Sequence, residues 1–350
     1  PERQQSASAP AAASAKVAPA KANKPGGAAH ADTVEKTGPA SNNETGTNAS
    51  GTVTPDKTQV ECVGDPVATC TGEEILELID FELPGPLPLQ FKRTYRSSQC
   101  HENLGLGYGW RSNFHLQIET TVNSDGETRL TLHDDEGRRL SFVPVAVGQT
   151  SYQLAEGLAL RHEDNGSQVL LRPDNTHWVF VPLSSEKQGP ARWALHQIFD
   201  SLGNYLQLYY DRYQRLSRID YTRKRGVELR YNEQGLLSTI EAVVQTEQGL
   251  TSLNVQLAQY HYDEQRDLIA ATDQARQTEH YGYQAHLLAV RQRASGFKHY
   301  FSWLGEGPGA RCQRNWGDDG YYDYQFDYDD SQRLTISTDS RGQRWQYFHN

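Results

Sequence analysis

From Gln59 onward the chain runs in short stretches of alternating apolar and polar residues, each closed by a turn signal. A two-residue period is the mark of a half-buried β-strand. Leu130-Thr131-Leu132, then Asp134-Asp135-Glu136-Gly137, then Leu140-Ser141-Phe142 reads as a hairpin, and Val169 to Leu171, Arg172-Pro173-Asp174-Asn175 and Trp178-Val179-Phe180 repeat the same grammar. The alternation places Val227, Leu229 and Tyr231 on one strand face, and His299, Phe301 and Trp303 on another. Tyr322, Tyr324, Phe326 and Tyr328 share a face opposite Asp323, Gln325, Asp327 and Asp329. Helical periodicity is scarce: Glu73 to Ile79 is the one short candidate, and its flanks read as strand.

After about Ala191 a unit centred on Tyr-Asp recurs. Tyr210-Asp211 leads into Arg215-Leu216 and Ile219; Tyr231-Asn232 into Gly235-Leu236 and Ile240; Tyr262-Asp263 into Leu268-Ile269. Weaker copies follow, with Tyr283 before Leu287-Leu288 and Tyr328-Asp329 before Arg333-Leu334, and turn-like pieces stand at Asp200 to Gly203 and Asp339 to Gly342. Steps of 21, 31, 21 and 45 residues separate the five tyrosines, so the longer steps are expected to contain extra or degenerate units. In each unit a strand ends in an aromatic residue, the Asp or Asn side chain bends the backbone, and Gly or a tolerant residue takes the left-handed dihedral before an apolar strand returns. A lone hairpin is marginal in water, so such units must stack into one sheet to bury their apolar face. The fold class expected is all-β: a long curved antiparallel sheet.

Composition divides the chain further. Residues 1–57 are Ala, Ser, Thr, Gly, Pro, Asn and Lys with almost no large apolar side chains, too little to offset the entropy of ordering, and are expected to be a disordered linker. Residues 58–190 read as a first region of hairpins, a shell start or plug, and residues 191–350 as the repeat segment. A net charge of −10 and a pI near 5.7 speak against nucleic acid as a partner. No apolar run approaches the roughly 18 residues of a membrane helix, and no membrane contact is expected of this segment. Cys62, Cys70, Cys100 and Cys312 lack zinc-site spacing; Cys62 with Cys70 is open as a disulfide on spacing alone, while free, partly buried thiols are the ordinary reading.

Chemistry is sparse. Three carboxylates among aromatics in Tyr322 to Asp329 invite comparison with a glycoside-cleaving site, but the strict alternation fits a strand with a solvated acidic face. Asp318-Asp319-Gly320 does not complete a calcium loop, the twelve histidines are scattered, and no nucleophile, zinc, phosphate or dinucleotide fingerprint is present. No catalytic, metal or cofactor residue is assigned, and the segment is expected not to be an enzyme.

Gly64-Asp65-Pro66-Val67, Thr71-Gly72-Glu73, Asp80-Phe81-Glu82-Leu83-Pro84-Gly85-Pro86-Leu87-Pro88-Leu89, Arg93-Thr94-Tyr95-Arg96-Ser97-Ser98 and Leu104-Gly105-Leu106-Gly107-Tyr108-Gly109-Trp110 together resemble the opening of the Rhs core. With the Tyr-Asp repeats the resemblance covers roughly residues 61 to 350; Cys70 departs from it, standing where the family often has a small residue. It implies part of a hollow shell, or cocoon, of a polymorphic toxin used in interbacterial competition, which sequesters a C-terminal toxin for type VI secretion. Implied partners are that toxin and the remaining shell, a PAAR spike module with its secretion spike protein, a chaperone and an immunity protein. Implied localisation is the bacterial cytoplasm, then secretion or injection. The toxin and any autoproteolysis motif are expected beyond Asn350, and Pro1 reads either as a processed end or as an arbitrary boundary. The competing reading is a cell-surface adhesin or carbohydrate-binding β protein, with aromatic side chains stacked on sugars.

Overall fold

The computed structural model describes residues 62–63, 66–183, 190–221 and 224–349, so Pro1 and the expected linker over residues 1–57 lie outside the described residues. The regular elements among them are strands and three short 3-10 turns, and the chain is all-β. After a small pair, β1 (Cys62–Val63) and β2 (Val67–Ala68), comes a three-stranded sheet of β3 (Ile75–Leu83), β4 (Leu89–Arg96) and β5 (Trp110–Ser112). Glu73 to Ile79, the helical candidate, is therefore mostly strand. Ile75 and Leu76 are buried there, and that burial overrides a weak local pattern.

The main sheet opens with β6 (Gln117–Val122), β7 (Thr128–His133), β8 (Arg139–Phe142), β9 (Thr150–Gln153), β10 (Leu158–His162), β11 (Gln168–Leu171) and β12 (His177–Pro182), and reaches β13 (Arg192–Phe199). This last strand is forked. Along one edge it pairs with β12; along the other, Arg192 to Ala194 pair with β6 and Gln197 to Phe199 pair with β14 (Tyr205–Tyr210). The first eight strands of the sheet thus roll back on themselves and close, with β8 and β9 side by side where Gln153 Nε2 donates to Ser141 O at 3.4 Å. The interior is packed, since Ile118, Leu132, Leu140, Leu160, Leu170, Phe180 and Leu195 are all 1% exposed or less. Burying each such side chain is worth about 1.5–3 kcal/mol.

From the far half of β13 the sheet continues as a meander of antiparallel neighbours: β15 (Leu216–Tyr221), β16 (Arg225–Tyr231), β17 (Leu237–Thr246), β18 (Gly249–Tyr262), β19 (Leu268–Thr272), β20 (Thr278–Gln284), β21 (Leu287–Gln292), β22 (Lys298–Leu304), β23 (Arg311–Gly317), β24 (Tyr324–Asp329), β25 (Leu334–Asp339) and β26 (Arg344–Phe348). The β3–β5 sheet lies on its apolar face. Phe81 stacks on Phe91 at 5.6 Å, and Trp110 sits 5.4 Å from Tyr95 and 5.2 Å from Tyr281 of β20.

The turns obey one rule. Asp211 Oδ1 accepts the amides of Tyr213 and Arg215 (2.8 and 3.0 Å), Asn232 Oδ1 those of Gln234 and Leu236 (3.0 and 2.9 Å), and Asp263 Oδ1 that of Asp267 (2.8 Å). The residue three beyond the Asx is left-handed in each: Gly235 (φ 78°) without penalty, Gln214 (61°) and Arg266 (69°) at some strain. Asp329 bends its turn through Ser331 and Gln332 instead. In the acidic run, Tyr324 and Tyr328 are partly buried and Phe326 is buried, but Tyr322 departs from the expected face. Its φ of 52° precedes the strand and leaves it 65% exposed, because the close β23–β24 connection needs a left-handed residue there. Cys70, Cys100 and Cys312 are free thiols.

His115, between β5 and β6, has its pKa lowered to about 3 by burial, with the charges of Arg111 and His133 acting in the same direction. The unfolded chain protonates near 6.5 while the fold excludes that proton, so this contribution is complete above about pH 6.5 and lost as pH falls toward 3, by up to about 1.4 kcal/mol per unit. Urea midpoints are expected to fall from pH 7 to pH 4, and His115→Gln to flatten that slope; an unchanged slope contradicts the assignment.

Candidate functional site: an aromatic ladder and its cover

Most of the repeat hairpins carry a β-bulge at the aromatic that ends their first strand: the register shifts between Tyr209 and Tyr210, Arg230 and Tyr231, His261 and Tyr262, Gly282 and Tyr283, and Ser302 and Trp303. A bulge takes a residue's peptide groups out of the strand ladder. The carbonyls of the residues just before the skipped ones find one kind of partner. Tyr210 Oη donates to Leu195 O (2.6 Å), Tyr231 to Leu216 O (2.8 Å), Tyr262 to Leu237 O (2.6 Å), Tyr283 to Leu268 O (2.9 Å), Trp303 Nε1 to Leu288 O (2.8 Å) and Tyr328 to Cys312 O (2.6 Å). Each aromatic reaches back to the residue that pairs across the bulge of the hairpin before it. Burial pushes the phenols of Tyr210, Tyr231, Tyr262, Tyr283 and Tyr328 above their ordinary range, which keeps them protonated as donors.

Trp303 explains the 45-residue step. It occupies the tyrosine slot with an indole N–H in place of the phenol, so the steps become 21, 31, 21, 20 and 25 residues. The 31-residue step is the longer β17–β18 hairpin, whose strands have 10 and 14 residues.

The amides on the other side of these rungs meet the N-terminal segment. Leu237 N donates to Gly105 O and Cys312 N to Gly72 O, both at 2.8 Å, and Leu288 N donates to Tyr95 Oη at 2.9 Å. Gly107 backs onto Leu268 so closely that a Cβ would stand 2.8 Å from its amide nitrogen, at a φ of +92° that side chains rarely adopt. A Cβ on Gly72 would stand 2.6 Å from the Tyr328 hydroxyl. Trp110 Nε1 then donates to Tyr283 Oη at 2.8 Å, joining cover and ladder.

A buried charge pair sits under this cover. Arg93 Nε lies 2.9 and 2.7 Å from the two oxygens of Asp80, with both side chains at most 3% exposed, and Tyr260 Oη donates to Asp80 at 2.6 Å. The Arg93 guanidinium lies 4.8 Å from the Trp110 ring and 5.6 Å from that of Tyr260. Glu73 accepts both Nε and Nη2 of Arg96 at 2.9 and 2.8 Å, and also the Ser98 hydroxyl. Removing one member of such a pair costs about 3–5 kcal/mol because the other charge stays buried.

The sequence-selected Tyr210, Tyr231, Tyr262 and Tyr328 are ladder donors; Asp211, Asn232, Asp263 and Asp329 hold turns, and Gly235 supplies a left-handed residue. Gly72, Gly105, Gly107, Trp110, Asp80, Arg93 and Trp303 were not singled out for these roles; three glycines alternating before a Trp carried the only local signal. Two of the three carboxylates of the acidic run are engaged in structure, Asp323 with Arg314 at 2.8 and 2.9 Å and Asp329 with its turn. Among the described residues no group of three or more His, Cys, Asp or Glu is placed to hold a metal.

Residues 64–142 match a family model described as a domain of unknown function, DUF6531. The chain is 24% identical over 290 residues to the double-stranded DNA deaminase toxin A of Burkholderia cenocepacia, covering 81% of this chain and 19% of that protein. It is 27% identical over 288 residues to the probable deoxyribonuclease RhsB of Dickeya dadantii, covering 82% and 19%. These similarities support an Rhs-family chain. A shorter stretch of this chain, 136 residues or 37% of it, is 32% identical to the toxin protein Tse5 of Pseudomonas aeruginosa, 9% of which it covers. The chain thus spans about a fifth of the length of the first two relatives. Among solved structures it is similar to a Photorhabdus luminescens Tc holotoxin pore, at a TM-score of 0.39 and 13% identity over 83% of this chain and 22% of that one. The N-terminal domain of the Salmonella typhimurium effector SpvB gives 0.32 and 12% over 69% and 98%.

Tyr262→Phe leaves the Leu237 carbonyl buried without its donor and is expected to cost about 1–3 kcal/mol in urea unfolding. Tyr205→Phe, at an exposed strand position, is expected to stay within about 0.5 kcal/mol. Equal effects at the two positions contradict the ladder.

Proposed function

We propose that this chain is the opening part of a shell wall in a longer Rhs polypeptide, and that the wall encloses a toxin carried C-terminal to it. The observation supporting this reading is the direction of the ladder. Each rung is completed by an aromatic from the following hairpin, so the sheet extends by adding hairpins, and the N-terminal segment is spent as cover on the apolar face of the first ones. A wall of this kind acts by sequestration, keeping cargo from its target until delivery, and the segment itself performs no bond chemistry. The family relationship supports a toxin context, two of the relatives being named as toxins.

The finer reading follows the resemblance. The enclosed toxin is delivered by type VI secretion from the cytoplasm of the producing bacterium. A PAAR module and its spike protein lie upstream of the linker, the polypeptide is cut at both ends of the shell with the pieces remaining associated, and a chaperone and an immunity protein protect the producer. Residues 1–57 are the tether to the spike.

Trypsin treatment of the full polypeptide under native conditions tests enclosure. The region C-terminal to the repeats is expected to survive and co-elute with the shell; its digestion at the rate of the free toxin chain contradicts the reading.

A further inference from the structure

Five of the six rung residues, Leu195, Leu237, Leu268, Leu288 and Cys312, are 3% exposed or less, whereas Leu216 is only half-buried. The difference lies in the cover. Gly105, Gly107, Tyr95 and Gly72 stand over Leu237, Leu268, Leu288 and Cys312. Leu216 instead borders a cleft of about 290 Å³, bounded by Asn103 to Leu106 on one side and by Gln214, Arg215 and Tyr231 on the other.

Leu216 and Leu237 occupy the same place in equivalent hairpins. Tyr210 pairs with Leu216 and Tyr231 with Leu237, each after a one-residue shift, and the Ser217 and Ser238 hydroxyls donate to Tyr209 O and Arg230 O at 3.1 and 2.9 Å. Equivalent backbone directs equivalent amides, so Leu216 N–H points into the cleft as Leu237 N–H points at Gly105 O. Among the described residues no carbonyl of the N-terminal segment reaches it. The arginines on the cleft wall are engaged, Arg215 with Asp211 at 2.7 Å, Arg266 with Gln234 O at 3.3 Å and Arg192 with Glu119 at 3.7 Å, which leaves a neutral hydrogen-bonding site rather than an anion site.

We propose that this cleft seats one further extended peptide segment, supplied by the longer polypeptide, which presents a glycine carbonyl to Leu216 N–H. Glycine is specified by the neighbouring rungs, where the carbonyls accepted at Leu237 and Cys312 belong to Gly105 and Gly72 and the approach at Leu268 is made by Gly107. The source is specified by length: with this chain at 19% of its relatives, most of such a polypeptide lies outside it. The proposal rests on the reading of the chain as part of an enclosing wall and names where enclosed or returning chain is gripped.

The experiment is photo-crosslinking in the full polypeptide, with p-benzoylphenylalanine placed at Gln214 and, in a second variant, at Gln117 on the opposite cleft wall. Cross-linked peptides from outside residues 62–349 of the same polypeptide, containing a glycine, are expected at one or both positions. Cross-links confined to residues 103–117, cross-links to another protein, or none at either position overturn the seat. Protease protection of the toxin region without the cross-link removes the seat and leaves enclosure standing, whereas loss of protection removes the reading on which the seat depends.

Discussion

One residue per hairpin carries a peptide group that the sheet itself cannot satisfy, and most of the architecture follows from how that group is paired. At five of the aromatics the sheet bulges, the aromatic staying in register with a rung residue whose successor is skipped, and a buried rung carbonyl left unpaired costs about 1–3 kcal/mol. The carbonyl is answered by a phenol or indole of the next hairpin at 2.6 to 2.9 Å, and at Leu237, Leu288 and Cys312 the amide is answered by the N-terminal segment. No hairpin is complete without its successor, and those three rungs are incomplete without the cover.

This dependence accounts for the close fit of the cover. Where it passes over the ladder it uses glycine, because at Gly72 and Gly107 a side chain would collide with Tyr328 or with the Leu268 amide. Where it crosses between rungs it uses charge and rings: Asp80 and Arg93 are buried against Tyr260, Tyr281 and Trp110. A buried ion pair contributes little net stability against an apolar replacement, but it fixes register, since a one-residue slip strands both charges. Glycine contacts and the ion pair therefore set one alignment of the N-terminal sheet along the repeats.

The strands and turns were legible because they depend on local chemistry. Alternation marked β7, β8, β11 and β12, and Asp or Asn followed by a left-handed residue marked the turns at Asp211, Asn232 and Asp263. The tyrosines were visible by repetition, but Trp303 was not, because its role is defined by an N–H reaching Leu288 O and not by its identity. Asp80 and Arg93 were hidden for a similar reason: their partners Tyr260 and Tyr281 are about 170 to 190 residues away in the chain, and no local pattern reports such pairing. The fork at β13 was also invisible, since it arises when β6 returns to pair with Arg192 to Ala194. Tyr322 was misplaced because alternation cannot register a left-handed residue just before a strand.

Native-state hydrogen exchange across a urea series measures the central dependence most directly. The amides of Leu237, Leu288 and Cys312 are expected to open in the same cooperative unit as those of β4, with equal opening free energies and urea slopes. Exchange of the three rung amides while β4 stays protected would contradict the account, because it would mean that the ladder holds together without its cover.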